Sequence, residues 1–167
     1  MRWKPQKITV ERSVAGEPLT EKILLKFKGA DVEFADEIKI NRSGFKPDEL
    51  IIAKQKGKFI KKCPGTPGHL CCDYYVLNLG IGCFYNCTYC FLHHYMNSPF
   101  IVYANTDDLI HEVKQFCLQR SDKIVRLGSG EFIDSLGFDE ITDVNRELIP
   151  KLSRIPNLVF EVKTKSS

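Results

Sequence analysis

Three cysteines in the stretch Gly82-Cys-Phe-Tyr-Asn-Cys-Thr-Tyr-Cys-Phe91 constrain this chain more than any other feature. Their C-x3-C-x2-C spacing means that any fold around them must present Cys83, Cys87 and Cys90 from one short loop toward one centre. Three thiolates suffice to hold an iron–sulfur cluster by three of its four irons, leaving the last iron free to bind a small molecule. Zinc is the rival occupant, because the same cysteines with His93 or His94 make a Cys3His set, and the chain would then be a non-catalytic zinc-binding module for nucleic-acid or protein partners. The spacing alone leaves both open.

A disulfide framework fits poorly. The chain has seven cysteines, an odd number, and Met1-Arg-Trp-Lys-Pro-Gln-Lys7 has no apolar run behind its charges to make a signal peptide. A reducing, cytoplasmic setting is the expectation, and no stretch is apolar enough to cross a membrane.

Downstream of the cysteines the pattern alternates. A short helix is expected over Tyr89 to Tyr95, stopped by Pro99. Phe100-Ile-Val-Tyr103 follows as a strand. Asn105 or Thr106 then caps a helix with Asp107 and Asp108 in its first turn and Leu109, Val113, Phe116 and Cys117 on its buried face. Cys117 reads as a small core residue. Ile124-Val-Arg-Leu127 reads as a strand ending in Gly128-Ser-Gly-Glu131. A second helix opening near Asp139 carries Ile141, Val144, Leu148 and Leu152, with Pro150 kinking or ending it. Leu158-Val-Phe-Glu-Val162 is the next strand.

Strands alternating with amphipathic helices argue for an α/β fold of parallel βαβ units, in which ligands collect at the carboxyl ends of the strands. Three polar clusters fall at such ends: the cysteine loop after Tyr74–Leu79, Gly128–Glu131, and Lys163–Lys165. Gly128 and Gly130 admit close backbone approach, and Glu131 with backbone carbonyls offers acceptors for an ammonium group. Lys163 offers a point charge to a carboxylate.

The cysteine loop resembles that of the radical SAM enzymes. The resemblance implies a 4Fe-4S cluster on Cys83, Cys87 and Cys90, with S-adenosyl-L-methionine chelating the open iron. It implies reductive cleavage to a 5′-deoxyadenosyl radical, with an electron donor such as a flavodoxin or ferredoxin. Tyr89 then lies against the adenine, Ser129, Gly130 and Glu131 hold the methionine amino group, and Lys163 meets the carboxylate. Longer stretches sharpen the likeness. Cys63-Pro-Gly-Thr66, Cys71-Cys-Asp-Tyr74, the cysteine loop, Gly128-Ser-Gly-Glu-Phe-Ile-Asp-Ser-Leu136 and Glu161-Val-Lys-Thr-Lys165 together resemble the spore photoproduct lyase family, often labelled DNA photolyases. That likeness implies a lyase-like DNA repair enzyme working through a cysteine and tyrosine relay. Here the relay departs from the family. Phe91, with no O–H, stands where the tyrosine after the last cluster cysteine belongs, and Leu127 or Gly128 stands where the donor cysteine belongs. No catalytic residue is assigned.

The resulting fold expectation is a partial radical SAM (β/α) barrel over residues 63–167, preceded by a small α/β lead-in module over residues 1–62. By this count the chain stops after its third barrel strand, so it is expected to be the amino-terminal part of a longer protein or an incomplete gene product. In the lead-in, Lys7-Ile-Thr-Val-Glu11 reads as a strand, Pro18 to Phe27 as a helix, and Leu50–Ala53 with Phe59-Ile60 as a hairpin around Gly57. The boundary is placed at the turn-rich Cys63-Pro-Gly-Thr-Pro-Gly68.

The net charge of +3 is too small to argue for nucleic acid by itself. Lys54, Lys56, Lys58, Lys61 and Lys62 either meet DNA phosphates or form a solvated face that discourages edge pairing. Cys63, Cys71 and Cys72 are either buried thiols or include a pair near the cluster, and burial is the expectation. Nothing in the residues fixes an oligomeric state.

Overall fold

The computed structural model describes residues 3–39, 48–85, 87–90, 92 and 99–165. It is a mixed α/β arrangement of two largely parallel sheets, with no closed barrel among the described residues. Strand β1 (Lys7–Glu11) alternates as its sequence does, burying Ile8 and Val10. A 3-10 turn (Arg12–Val14) leads into helix α1 (Pro18–Lys26), which opens on a proline whose missing N–H has no partner to lose there. The helix buries Leu19, Thr20 and Ile23 and returns the chain to β2 (Asp31–Ala35), parallel to β1. Sequence patterning missed β2, a short edge strand whose Val32 and Phe34 alternate with acidic residues and stay exposed.

Strand β3 (Glu49–Ala53) pairs with β1 on one side and with β7 (Phe100–Tyr103) on the other, both in parallel. β6 (Gly80–Ile81) adds an antiparallel edge to β7, giving the order β2-β1-β3-β7-β6. The second sheet has the order β4-β5-β8-β9, from β4 (Ile60–Lys62), β5 (Tyr74–Leu77), β8 (Val125–Ser129) and β9 (Leu158–Glu161). β4 is antiparallel to β5, while β5, β8 and β9 run parallel, as the βαβ pattern requires. Both sheets draw strands from either side of residue 62.

The expected hairpin around Gly57 does not form: β3 and β4 lie in different sheets. The segment between them is a crossover tied down by side chains. Glu11 accepts from the Lys54 amide at 3.0 Å, Asn105 from the Gln55 amide at 2.9 Å, and Glu112 from the Phe59 and Ile60 amides at 3.0 and 2.9 Å. Lys54, Lys56 and Lys58 are exposed on this crossover instead of on a hairpin face.

Helix α2 (Thr106–Leu118) buries Leu109, Ile110, Val113 and Cys117, with Phe116 half-buried against Tyr75. Asn105 precedes it but makes no side-chain cap; its amide group is spent on Gln55 and Asp108. The single helix expected from Asp139 is two, α3 (Asp139–Thr142) and α4 (Val144–Leu152), broken where Asp143 turns left-handed with φ 49°. Pro150 lies inside α4 without ending it, because Leu148 and Leu152 anchor both sides in the core. The strand expected to begin at Ile124 begins one residue later, and the one expected to reach Leu79 stops at Leu77, where the chain passes to the other sheet as β6.

Two cores result. One packs α1, α3 and Phe138 on the first sheet through Ile8, Val10, Ile23, Leu50 and Ile52. The other packs α2 and α4 on the second sheet through Leu77, Val113, Cys117, Leu127 and Leu148. Among the described residues no helix is long and apolar enough to cross a membrane. The expected helix over Tyr89 to Tyr95 falls mostly outside the described residues, although Leu92 is helical.

Candidate cofactor site

The cysteine loop leaves β6 through a constrained glycine. Gly82 has φ 103°, and a Cβ there would stand 2.6 Å from the Phe100 ring, so only glycine fits this turn. Its amide donates to the Phe132 carbonyl at 2.8 Å, joining the loop to the segment after β8. Phe84 then plugs into an aromatic cluster, stacked on Trp3 and edge-on to Phe138 with centroids 5.3 Å apart. The loop is thereby pinned at its start while its sulfurs remain near the surface.

Cys83, Cys87 and Cys90 are free thiols and half-buried. The Cys90 amide donates to the Cys87 carbonyl at 2.9 Å, a tight turn that brings the last two sulfurs to the same stretch. Burial pushes the Cys83 thiol above its usual range, against the backbone N–H groups of Tyr85 and Asp134, which favour the thiolate. Backbone N–H groups directed at a cysteine sulfur are what stabilises a cluster-bound thiolate. The donor set therefore fits an iron–sulfur cluster. Among the described residues no three His, Cys, Asp or Glu side chains stand close enough to hold a single metal ion, and His93 and His94 lie outside those residues. Phe91 lies outside them too.

Two residues that the sequence reading passed over knit the three strand ends together. Asp134 accepts through one oxygen from the Gly137 amide at 2.8 Å and the Thr164 hydroxyl at 2.7 Å, and through the other from the Lys165 amide at 2.6 Å. Ser135 accepts through its hydroxyl from the Lys163 amide and from Ser129, each at 2.9 Å, and its own amide donates to the Lys163 carbonyl at 3.0 Å. One dipeptide thus joins the end of β8 to the segment after β9, two residues from the Phe132 carbonyl that holds the cysteine loop. Asp134 followed by Gly137 is an Asx-turn pattern, the one local signal that marked it.

The remaining expected residues divide. Ser129 is buried with its hydroxyl committed to Ser135, so it offers a ligand only its backbone. Gly130 has φ 94° and lies so near Lys163 and Ser135 that a Cβ would stand 2.7 Å from the Ser135 hydroxyl. Glu131 is half-exposed beside them. Tyr89 is 72% exposed on the cysteine loop, with the Lys165 ammonium 5.6 Å from its ring centre. Hydrogen bonding to Tyr89 holds the Lys165 ammonium above the usual lysine range.

Lys163 turns elsewhere. Its ammonium stands 4.3 Å from the ring centre of Tyr74 on β5. Strand alternation puts Tyr75, Leu127 and Phe160 toward the helices and Tyr74, Arg126, Gly128 and Glu161 on the opposite face. Gly128, and not Leu127, therefore faces away from the helices at the end of β8. Cys117 is deep in the helix-packed core. Cys71 and Cys72, expected to be buried, are exposed, because the turn-rich stretch before β5 has no element to cover it; Cys63 is half-buried.

The chain spans about half the length of the solved structures it resembles. One is a spore photoproduct lyase variant with dinucleoside spore photoproduct, with TM-score 0.77 and 18% identity over 96% of this chain and 49% of that one. A second variant, with bound AdoMet and the same dinucleoside, gives TM-score 0.76 and 19% identity over 96% of this chain and 49% of that one. No curated protein sequence matches the chain. The spore photoproduct lyase family model matches residues 3–165, and the chain belongs to that family.

Proposed function

We propose that this chain forms the cluster-bearing part of a radical SAM enzyme of the lyase type, with Cys83, Cys87 and Cys90 as the ligands of a 4Fe-4S cluster. One observation carries the reading: three half-buried free thiols sit on one short loop whose start is pinned by Gly82 and Phe84. Held by these three cysteines, a reduced cluster would supply the one electron needed to cleave S-adenosylmethionine to methionine and a 5′-deoxyadenosyl radical.

The chain's own residues bind and orient. Tyr89 lies beside the adenine, with Lys165 at its phenol. The backbone of Ser129 and Gly130, with Glu131, accepts from the methionine ammonium, and Lys163 meets the carboxylate. Asp134 and Ser135 keep these groups in register, so that cofactor positioning does not depend on flexible side chains alone. A flavodoxin or ferredoxin is the proposed reductant.

DNA is the proposed substrate class. Membership of the family and the relatives solved with dinucleoside spore photoproduct support it. Phe91 and Gly128 supply neither a phenol nor a thiol, so hydrogen return follows a route different from the family's cysteine and tyrosine relay.

Anaerobic purification with iron and sulfide analysis tests the reading. About four irons per chain with matching sulfide are expected, and Cys87→Ala should lose the brown absorbance and most of the iron. One zinc per chain in a colourless protein would overturn it. With dithionite as reductant, 5′-deoxyadenosine should form slowly and without coupling to any substrate.

A further inference from the structure

The Tyr74 hydroxyl is buried and has no hydrogen-bond partner. Tyr74 as a whole is only 8% exposed. An orphan phenol is costly, and native proteins keep such groups where a ligand completes them. Its position is specific. A Cβ on Gly128 would stand 1.5 Å from the Tyr74 oxygen, so the hydroxyl occupies the space that a side chain at the end of β8 would fill. The phenol thus reaches, from the neighbouring strand, the level of Gly128, the residue before Ser129 at the end of β8.

The surroundings select the ligand's charge. Arg126 stands over the Tyr74 ring at 5.7 Å, and two of its three nitrogens, Nε and Nη2, are held by Glu161 at 3.1 and 2.7 Å, which balances its charge. Lys163, 4.3 Å from the ring centre, makes no ion pair among the described residues. A phenol O–H and an uncommitted ammonium on one side of a ring form a two-point seat for a carboxylate, with each contact charge-assisted. Lys163 is an exposed side chain on a flexible stem, so its ammonium can follow an anion placed beside the ring.

We infer that Tyr74 is a cofactor-binding residue, its hydroxyl donating to the carboxylate of the amino-acid end of S-adenosylmethionine beside Lys163. The inference rests on the proposed function and adds a residue that the strand-end motifs did not mark.

The test compares wild type and Tyr74→Phe, both with reconstituted clusters, by equilibrium binding of S-adenosylmethionine and of 5′-methylthioadenosine, which lacks the amino-acid end. The variant should bind S-adenosylmethionine about tenfold more weakly and 5′-methylthioadenosine equally well. Its ligand-free Tm should be unchanged or higher, since an unpaired buried hydroxyl has been removed. Equal S-adenosylmethionine binding by the two proteins overturns the inference and leaves the proposed function standing. So does equal weakening of both ligands, or a lower ligand-free Tm, which would mean that the hydroxyl serves adenosine or the protein interior. Absence of S-adenosylmethionine binding in the wild type overturns the proposed function and this inference with it.

Discussion

Gly128 carries the tightest steric constraint among the described glycines, because its missing side chain is replaced by the phenol of Tyr74. Gly128→Ala should therefore force the ring off its place and destabilise the protein by about 1–3 kcal/mol, the usual cost of overpacking. Urea denaturation measures this, and adding Tyr74→Leu should restore part of the loss. A Gly128→Ala variant as stable as wild type would mean that the ring moves freely. At this scale the thiols were legible in the sequence, since three cysteines in one loop have few alternative uses. Asp134 and Ser135 were not. Their importance lies in which amides from distant segments reach their oxygens, and residue type does not carry that information.

Among the elements, the crossover from β3 to β4 shows how local reading goes astray. A polar stretch around Gly57 between two apolar runs looks like a hairpin. Yet Leu50, Ile51, Ile52 and Ala53 are all buried, so β3 is covered on both faces and needs a neighbour at each edge. The short, lysine-rich β4 cannot serve as one of them. Instead Glu112 reaches from α2 to satisfy the amides of Phe59 and Ile60. Glu112→Ala should strip both acceptors and cost about 1–3 kcal/mol, with faster amide exchange at Phe59 and Ile60. Exchange as slow as in wild type at those two amides would show that the crossover holds itself. The break at Asp143 had a similar origin: Ile141, Val144 and Leu148 keep helical spacing across a residue that is left-handed. Periodicity records which residues face the core and tolerates such a break.

For the whole molecule, stability should depend on Glu11, a buried carboxylate joining β1 to the crossover. Burial works to raise its pKa but is outweighed by the Lys54 amide, the Lys56 ammonium and the Ser13 hydroxyl, leaving it below the usual carboxylate value. A carboxyl depressed in the folded state contributes stability that is present above its unfolded pKa of about 4.3 and is lost as pH falls through the folded value. Glu11→Gln should be less stable than wild type by about 1–2 kcal/mol at neutral pH, the two converging in acid. A gap between their urea midpoints that persists at pH 2 would assign the loss to packing instead.

Periodicity and residue chemistry are local properties, so the alternation of strands and helices after Pro99 and the soft donor set of the cysteine loop could be read from neighbouring residues alone. Tertiary structure alone decided which strands share a sheet, that Gly128 faces away from the helices, and that an unpaired phenol fills its place. Those outcomes depend on burying both faces of each strand against segments far along the chain, and no short window of residues contains that balance.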